Sequence, residues 1–420
     1  MRREMPSVAN AGGRGAQLPA ARMGVAQLAR MSASGTDLHP LWQVLIDKLI
    51  GGTIEPGEGL DLSLVAQLLG DKQAGLAIQQ EMLASHQLFR SPCASKIPRL
   101  RVLALAAATD MGGNTPIEFL LEGSGVELTT LYIVPDVELP APLPDHDVAI
   151  VIASDSEDCR EALGKIESVA VRWPRPRLNP PHLVCHLDRD RLHRRLDGIE
   201  GLEIPATVAV SRAQLAEICG STSASCNIAT DFAFPIIVRP RGSHAGAGLA
   251  RLGDRAALER YLAERLELDF FISRFVDYAS DDGLFRKCRI VFVDGRPYAC
   301  HMAIADRWDI WYLNAGMPHS ASKRLEEETF MRTFDVGFAR RHAAALLGIA
   351  DRIGLDYFIV DCAETRSGSL LVFEADNTAI VHDMDPPDVF PYKLPQMRRI
   401  FDAFVAMLDR RSQEGQECAA

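Results

Sequence analysis

The sequence has no excess of positive charge: its 420 residues carry 45 Lys and Arg against 56 Asp and Glu, a formal net charge of −11. A surface of that sign repels phosphate backbones and anionic headgroups, which sets aside nucleic-acid and membrane binding but leaves room for local basic spots. The nine cysteines are scattered with no Cys-x-x-Cys pair, and their odd number excludes a complete disulfide framework. They read as small buried side chains in a reducing compartment, the cytoplasm. No apolar run approaches a membrane span, since Val102–Ala108 and Val148–Ala153 are only strand-length. The full GxGxxG and Walker patterns, internal repeats and coiled-coil heptads are also missing, which disfavours a dinucleotide fingerprint, a P-loop and a solenoid. No Ser–His–Asp relation emerges, so hydrolysis by a serine nucleophile has no support.

What is present is ordinary globular material, 47% hydrophobic and 24% charged, long enough for two or three cores. Residues 1–36, rich in Gly, Ala, Arg and Ser, read as a disordered arm. Residues 37–98 hold helix-spaced apolar positions broken at Gly51–Gly52 and Gly57–Gly59, a small helical cap. From Arg99 the rhythm changes to strand–helix–strand. Strands are expected at Arg101–Ala108, Glu127–Val134 and Asp147–Ala153, with a helix at Thr115–Leu121 capped by Thr115. The turn Asp110–Asn114 closes the first strand where open α/β sheets take ligands, making Asn114 a candidate substrate contact.

The segment Phe234–Leu252 is the most informative. The β-branched run Ile236–Val238 predicts a strand, followed by Arg239, Arg241, Gly242, Ser243, Gly246 and Gly248. Glycines let backbone N–H groups approach oxyanions closely, and Arg239 can neutralise a phosphate. The next extended stretch, Asp269–Val276, offers backbone groups for a base, with Ile272 and Phe275 as apolar contacts and Asp277 as a ribose acceptor.

A second constellation is acidic. A hairpin through Ser367–Ser369 brings Tyr357–Val360, ending at Asp361, beside Leu370–Phe373, ending at Glu374. Period-two alternation puts Asp376 on the face of Glu374, and Asn377 follows as a further oxygen donor. Converging carboxylates repel unless a cation compensates them, and oxygen ligands of this kind select Mg²⁺, with Mn²⁺ as the alternative, over zinc. Arg289 on the strand Cys288–Val293 is a candidate catalytic arginine. Arg307 is a further anion contact, and His301 a substrate contact or proton carrier.

In this order the motifs resemble the ATP-grasp superfamily of carboxylate–amine ligases. FPIIVRPRGSHAGAGLARL is similar to its phosphate lid, and YFIVD and LVFEADN to its metal-bearing strands. The resemblance implies a mixed α/β and α+β protein: an ATP-grasp fold with a preceding Rossmann-like small domain and an N-terminal helical cap. The small domain would span 99–185, a lid lobe 186–275, a core lobe with the metal site 276–411, and a disordered tail 412–420. The same resemblance makes Arg239 and Arg289 catalytic, Arg189 or Arg191 a nucleotide contact, and Asp361, Glu374, Asp376 and Asn377 metal ligands. Asn314 becomes a substrate-shaping residue. Arginine at 239 and aspartate at 376 stand where the family often has lysine and asparagine. The implied activity is ATP-dependent activation of a small-molecule or peptide carboxylate as an acyl phosphate, then attack by an amine. Small-molecule kinase and noncatalytic Mg–ATP-binding scaffold are the alternatives. The amphipathic stretch Leu394–Arg411 is expected to cap the last lobe or to join a homodimer.

Overall fold

The computed structural model describes residues 17–220, 233–243 and 246–417. Apolar runs buried on both faces make the strands of a mostly parallel sheet. Its members are β1 (Ala20–Ala21), β2 (Leu88–Arg90), β3 (Leu100–Ala107), β4 (Val126–Ile133), β5 (Val148–Val151) and β6 (Arg177–Leu178), in the order β1-β2-β4-β3-β5-β6. β3 runs parallel to β4 and β5, whereas β2 is antiparallel to β4. Thr115 does not cap the helix expected over Thr115–Leu121. The helix is only Glu118–Leu121, and the Thr115 hydroxyl instead donates to the carbonyl of Asn377 at 2.7 Å, fastening this sheet to the far end of the chain.

The amino-terminal region differs most from expectation. Residues 20–33, read as part of a disordered arm, form β1 and the helix Val25–Ala33. Composition missed this because the arm is ordered by polar anchors. Asp61 accepts from the backbone N–H groups of Met23 and Gly24, and Glu118 accepts from that of Ala26 at 2.8 Å. The helix Pro56–Leu68 approaches at backbone distance, since a Cβ on Gly57 would lie 1.9 Å from the Ala21 carbonyl. Within 37–98, Leu38, Leu64 and Val65 share a small cluster of their own with Leu28, while Leu88 and Phe89 of β2 lie in the main core. The arm's residues 1–16 and the last three residues of the expected tail lie outside the described residues.

Two further sheets complete the architecture. β7 (Leu202–Glu203) belongs to a sheet whose other strands come later in the chain. β8 (Thr207–Ser211), β9 (Ile236–Pro240), β10 (Ala250–Leu252) and β11 (Asp269–Arg274) make a small antiparallel sheet, ordered β10-β9-β11-β8. It has its own core, built on Val210, Leu215, Ile236, Val238, Leu258, Phe270 and Ile272. β12 (Phe285–Val293), β13 (Arg296–Ala305), β14 (Tyr357–Glu364) and β15 (Leu370–Asp376) then join β7 in the order β13-β12-β14-β15-β7.

The last helix, Lys393–Glu417, runs through residues 412–417 of the expected tail. Its Met397, Ile400, Phe401, Phe404, Met407 and Leu408 are buried in the main core. The apolar face offered as a homodimer surface is therefore spent within the chain. No helix among the described residues is long and apolar enough to cross a membrane.

Candidate functional site

Between the small sheet and the five-stranded sheet lies a cleft of about 970 Å³, counting its open mouth. Arg239 and Phe271, register partners on β9 and β11, look into it from one side. Arg189, Lys287, Phe373 and Glu374 line the other side. Strand parity explains the small sheet's share: Ile237 and Arg239 face the cleft, while Ile236 and Val238 fill the sheet's own core. The same parity corrects the expected base contact. Ile272 is turned into that core, and its neighbours Phe271 and Ser273 face the cleft.

Phe275 does line the cleft, with Trp308 edge-on at 5.8 Å and the Arg251 guanidinium 3.9 Å from its ring centre. Its N–H is spent on the Pro235 carbonyl, so a base must be read by neighbouring backbone groups. Beneath it Tyr278, Leu371, Phe285 and Phe373 form an apolar floor. Asp277, expected at a ribose, instead caps its own turn by accepting from the Ala279 N–H at 3.1 Å.

Arg239 is the electrostatic key. Its guanidinium donates to the Ser243 hydroxyl at 3.3 Å and to the Ser243 carbonyl, and has no carboxylate within ion-pair distance among the described residues. Burial, followed by repulsion from Arg189, pushes its pKa down to about 10, so at neutral pH it is a charged group short of a counter-anion. Gly242, Gly246 and Gly248 all adopt positive φ in the β9–β10 connection. Only Gly248 is also hemmed in, since a Cβ there would meet the Pro240 ring at 2.7 Å.

Across the cleft the five-stranded sheet carries its charges on one face. Arg289 and Asp361 are register partners, as are Asp361 and Glu374. Asp361, 2% exposed, accepts from Arg289 Nε at 2.8 Å and Nη2 at 3.1 Å, and from Lys287 Nζ at 2.8 Å. Burial opposes its charge, but Arg289 and Lys287 outweigh burial and hold its pKa well below the usual carboxylate range. Glu374 pairs with Arg189, while its second oxygen has no hydrogen-bond partner among the described residues. Asp376 accepts from the Thr378 N–H at 2.7 Å and hydroxyl at 2.9 Å, both on one oxygen. Burial raises its pKa, and the neighbouring Glu374 charge adds to the rise.

These contacts decide which residues fit a divalent cation. Glu374 and Asp376 each keep an oxygen available, and the raised Asp376 pKa marks negative charge without enough compensation. Asp361 does not fit as it stands, because both its oxygens are committed to cations. Asn377 is fully buried; its amide nitrogen donates to the Ala153 carbonyl at 2.9 Å and its backbone carbonyl holds Thr115, while its side-chain oxygen has no hydrogen-bond partner among the described residues. No group of three His, Cys, Asp or Glu able to hold a metal occurs among the described residues.

Other expected contacts lie off this cleft. Asn114 uses both ends of its amide on the Ala107 backbone, at 2.8 and 2.9 Å, stitching the end of β3. Arg191 turns away to the Cys185 carbonyl and Asp155. Arg289 lies beneath the cleft wall rather than on it. His301 is half-buried beside Tyr312, ring centres 4.7 Å apart, with its Nδ1 unpartnered among the described residues, and desolvation, reinforced by Arg289 and Lys393, holds its pKa well below the usual imidazole value. Arg307 points outward in an ion pair with Asp309, and Asn314 braces that loop through the Asp309 carbonyl and the Trp311 N–H. The missed cleft residues include Lys287, Phe271, Phe373 and Asp309, whereas Trp308 stands in the stretch read as substrate-shaping. Lys287 had a readable signal, since it stands two residues before Arg289 on the same strand face.

The fold is mixed α/β with three sheets, and solved structures similar to it include ATP-grasp proteins. D-alanine–D-alanine ligase from Bacillus anthracis, complexed with ATP, aligns with 75% of this chain and 99% of its own at 12% identity and a TM-score of 0.44. A RimK domain protein ATP-grasp from Sphaerobacter thermophilus DSM 20745 aligns with 73% of this chain and 99% of its own, at 17% identity and a TM-score of 0.40. D-cycloserine synthetase DcsG aligns with 71% and 99%, at 17% identity and a TM-score of 0.40. No protein-family model and no curated protein matches the chain. TM-scores this low decide nothing about chemistry, which has to be read from the chain's own residues.

Proposed function

We propose that the chain binds ATP in this cleft and activates a carboxylate for attack by an amine. The observation that carries the reading is Arg239, a buried cation without a carboxylate partner among the described residues, facing the Arg189–Glu374 pair across a cleft with an apolar floor. A triphosphate supplies the missing anion, and a purine fills the space beside Phe275, Trp308 and Tyr278. The small sheet then acts as a lid, with Arg239 and the glycine-rich β9–β10 connection over the phosphates.

In the reaction a carboxylate oxygen attacks the γ-phosphorus and the bond to the ADP oxygen breaks. The amine then attacks the acyl carbon and phosphate leaves. Lys287 and Arg239 stabilise charge building on the transferred group, acting from fixed positions that need no reorganisation. Asp361 holds Lys287 and Arg289 in place, and closure of the lid excludes water from the acyl phosphate. A magnesium ion on Glu374 and Asp376 would neutralise phosphate charge.

The test is calorimetric titration of the whole protein with Mg–ATP, followed by ADP release and mass detection with pooled carboxylates and amines. Wild type should bind, and Arg239→Ala should weaken binding by about tenfold or more while leaving the melting temperature nearly unchanged. Coupled product with free phosphate supports the ligase. A stable phosphorylated product would make the protein a kinase, binding without ADP release would make it a scaffold, and absence of nucleotide binding would end the reading.

A further inference from the structure

A second cavity lies at the carboxyl end of the first sheet, roofed by the arm that leads into the helix Val25–Ala33. It occupies about 470 Å³ counting its mouth, and Arg22, Gln79, Thr109, Glu118, Thr130 and Tyr132 are among the residues lining it. The Arg22 side chain is 2% exposed, yet its Nε and Nη2 have no hydrogen-bond partner among the described residues. Two carboxylates stand near, but at 3.6 Å for Asp61 and 3.8 Å for Glu118 they form ion pairs without hydrogen bonds, and the Tyr132 hydroxyl bears on the same guanidinium. They are held there by other donors. Asp61 takes the N–H groups of Met23 and Gly24, and Glu118 takes the Ala26 N–H and the Ser91 hydroxyl at 2.7 Å.

Buried guanidinium donors left open are costly, so a group that accepts from them is expected in the cavity. Its charge is constrained as well. With Asp61 and Glu118 already beside Arg22, a bare anion would add uncompensated negative charge, whereas a bare cation would leave the arginine donors open. A ligand carrying both charges satisfies the wall. We propose that this cavity binds the head of a free α-amino acid. Its carboxylate accepts from Arg22 Nε and Nη2, and its ammonium group faces Glu118 and the hydroxyl of Thr130. The crevice beyond the carboxyl ends of parallel strands is where open α/β sheets take small ligands. The Thr115–Asn377 hydrogen bond links its wall to the strand that carries Glu374 and Asp376.

The site goes beyond the proposed nucleotide chemistry, and its test is run without nucleotide so that either can fail alone. Full-length protein is titrated calorimetrically with glycine and alanine, and with acetate and ethylamine as single-charge controls, while melting temperature is followed in parallel. Glycine or alanine should bind saturably and raise the melting temperature, with both controls at least about tenfold weaker. Arg22→Met should abolish the effect. Because that change can loosen the arm, Thr130→Val serves as the second variant, keeping the wall's shape while removing a hydroxyl, and should weaken glycine severalfold. Overturning results are acetate binding as well as glycine, equal binding by Arg22→Met, or no saturable binding by wild type, which would leave ordered water as the occupant.

Discussion

Asp361 illustrates how much one residue's role depends on what its neighbours have already claimed. Its type and position suit a metal ligand, yet Lys287 and Arg289 occupy both oxygens in a nearly dry setting. Removing one partner of a buried pair strands the other's charge, at a cost of about 3–5 kcal/mol. Asp361→Asn should therefore lower stability by roughly that amount in urea denaturation, and Glu374→Gln by less because Glu374 reaches solvent. In manganese titrations Asp361→Asn should stay within about threefold of wild type, while Glu374→Gln and Asp376→Asn lose about tenfold. Equal losses in all three would return Asp361 to the ligand set. Glu364, farther along β14, offers a pH test. The His342 hydrogen bond, against burial and with help from Arg341, pulls its pKa down to about 2. Its contribution is thus complete above the ordinary glutamate range and disappears as pH falls toward 2. Melting curves of wild type and Glu364→Gln should differ at pH 7 and converge near the acid limit; a gap that stays constant would assign the effect to packing.

At the scale of elements, the sequence was legible wherever one face of a strand differs from the other, and opaque where both are apolar. Asp361, Glu374 and Asp376 could be placed on one face because charged and apolar residues alternate around them. Phe270, Phe271 and Ile272 are apolar in succession, so parity could not be read, and Ile272 was assigned to the cleft that Phe271 lines. Asn114 looked like a ligand donor because no pattern in one chain reveals that both ends of its amide are taken by the Ala107 backbone. The arm was opaque for another reason: its order comes from Asp61 and Glu118, far away in sequence. That dependence is testable at Gly57. A methyl group there collides with the Ala21 carbonyl, so Gly57→Ala should push β1 from its place beside β2. The expected readouts are a melting temperature lowered by several degrees, for a loss of about 1–3 kcal/mol, and rapid proteolysis before residue 25. An arm as resistant as in wild type would show that the helix can yield instead.

For the whole molecule the decisive feature is that the small sheet has a core of its own and little that binds it to the rest. Among the described residues, the ion pairs that cross are Arg241–Asp188 at 3.1 Å and Arg274–Glu203 at 2.6 Å. Partly exposed pairs of this kind contribute at most about 1 kcal/mol each. A body with an independent core, tied by weak bridges and two chain crossings, should swing, and on the proposed reading Arg239, without a carboxylate partner among the described residues, would close it once a polyanion enters. Labels replacing the exposed Leu266, at the edge of the small sheet, and Val336, on the main body, report that swing directly. Mg–ATP should shorten and narrow the distance distribution between them. Arg241→Ala combined with Arg274→Ala should broaden the nucleotide-free distribution, with little change in melting temperature because neither core is touched. Arg239→Ala should keep the nucleotide-free distribution of wild type and lose the response to ATP. A distance unmoved by saturating nucleotide in the wild type would mean that the cleft is rigid, and the protection of an acyl phosphate by a closing lid would have to be abandoned.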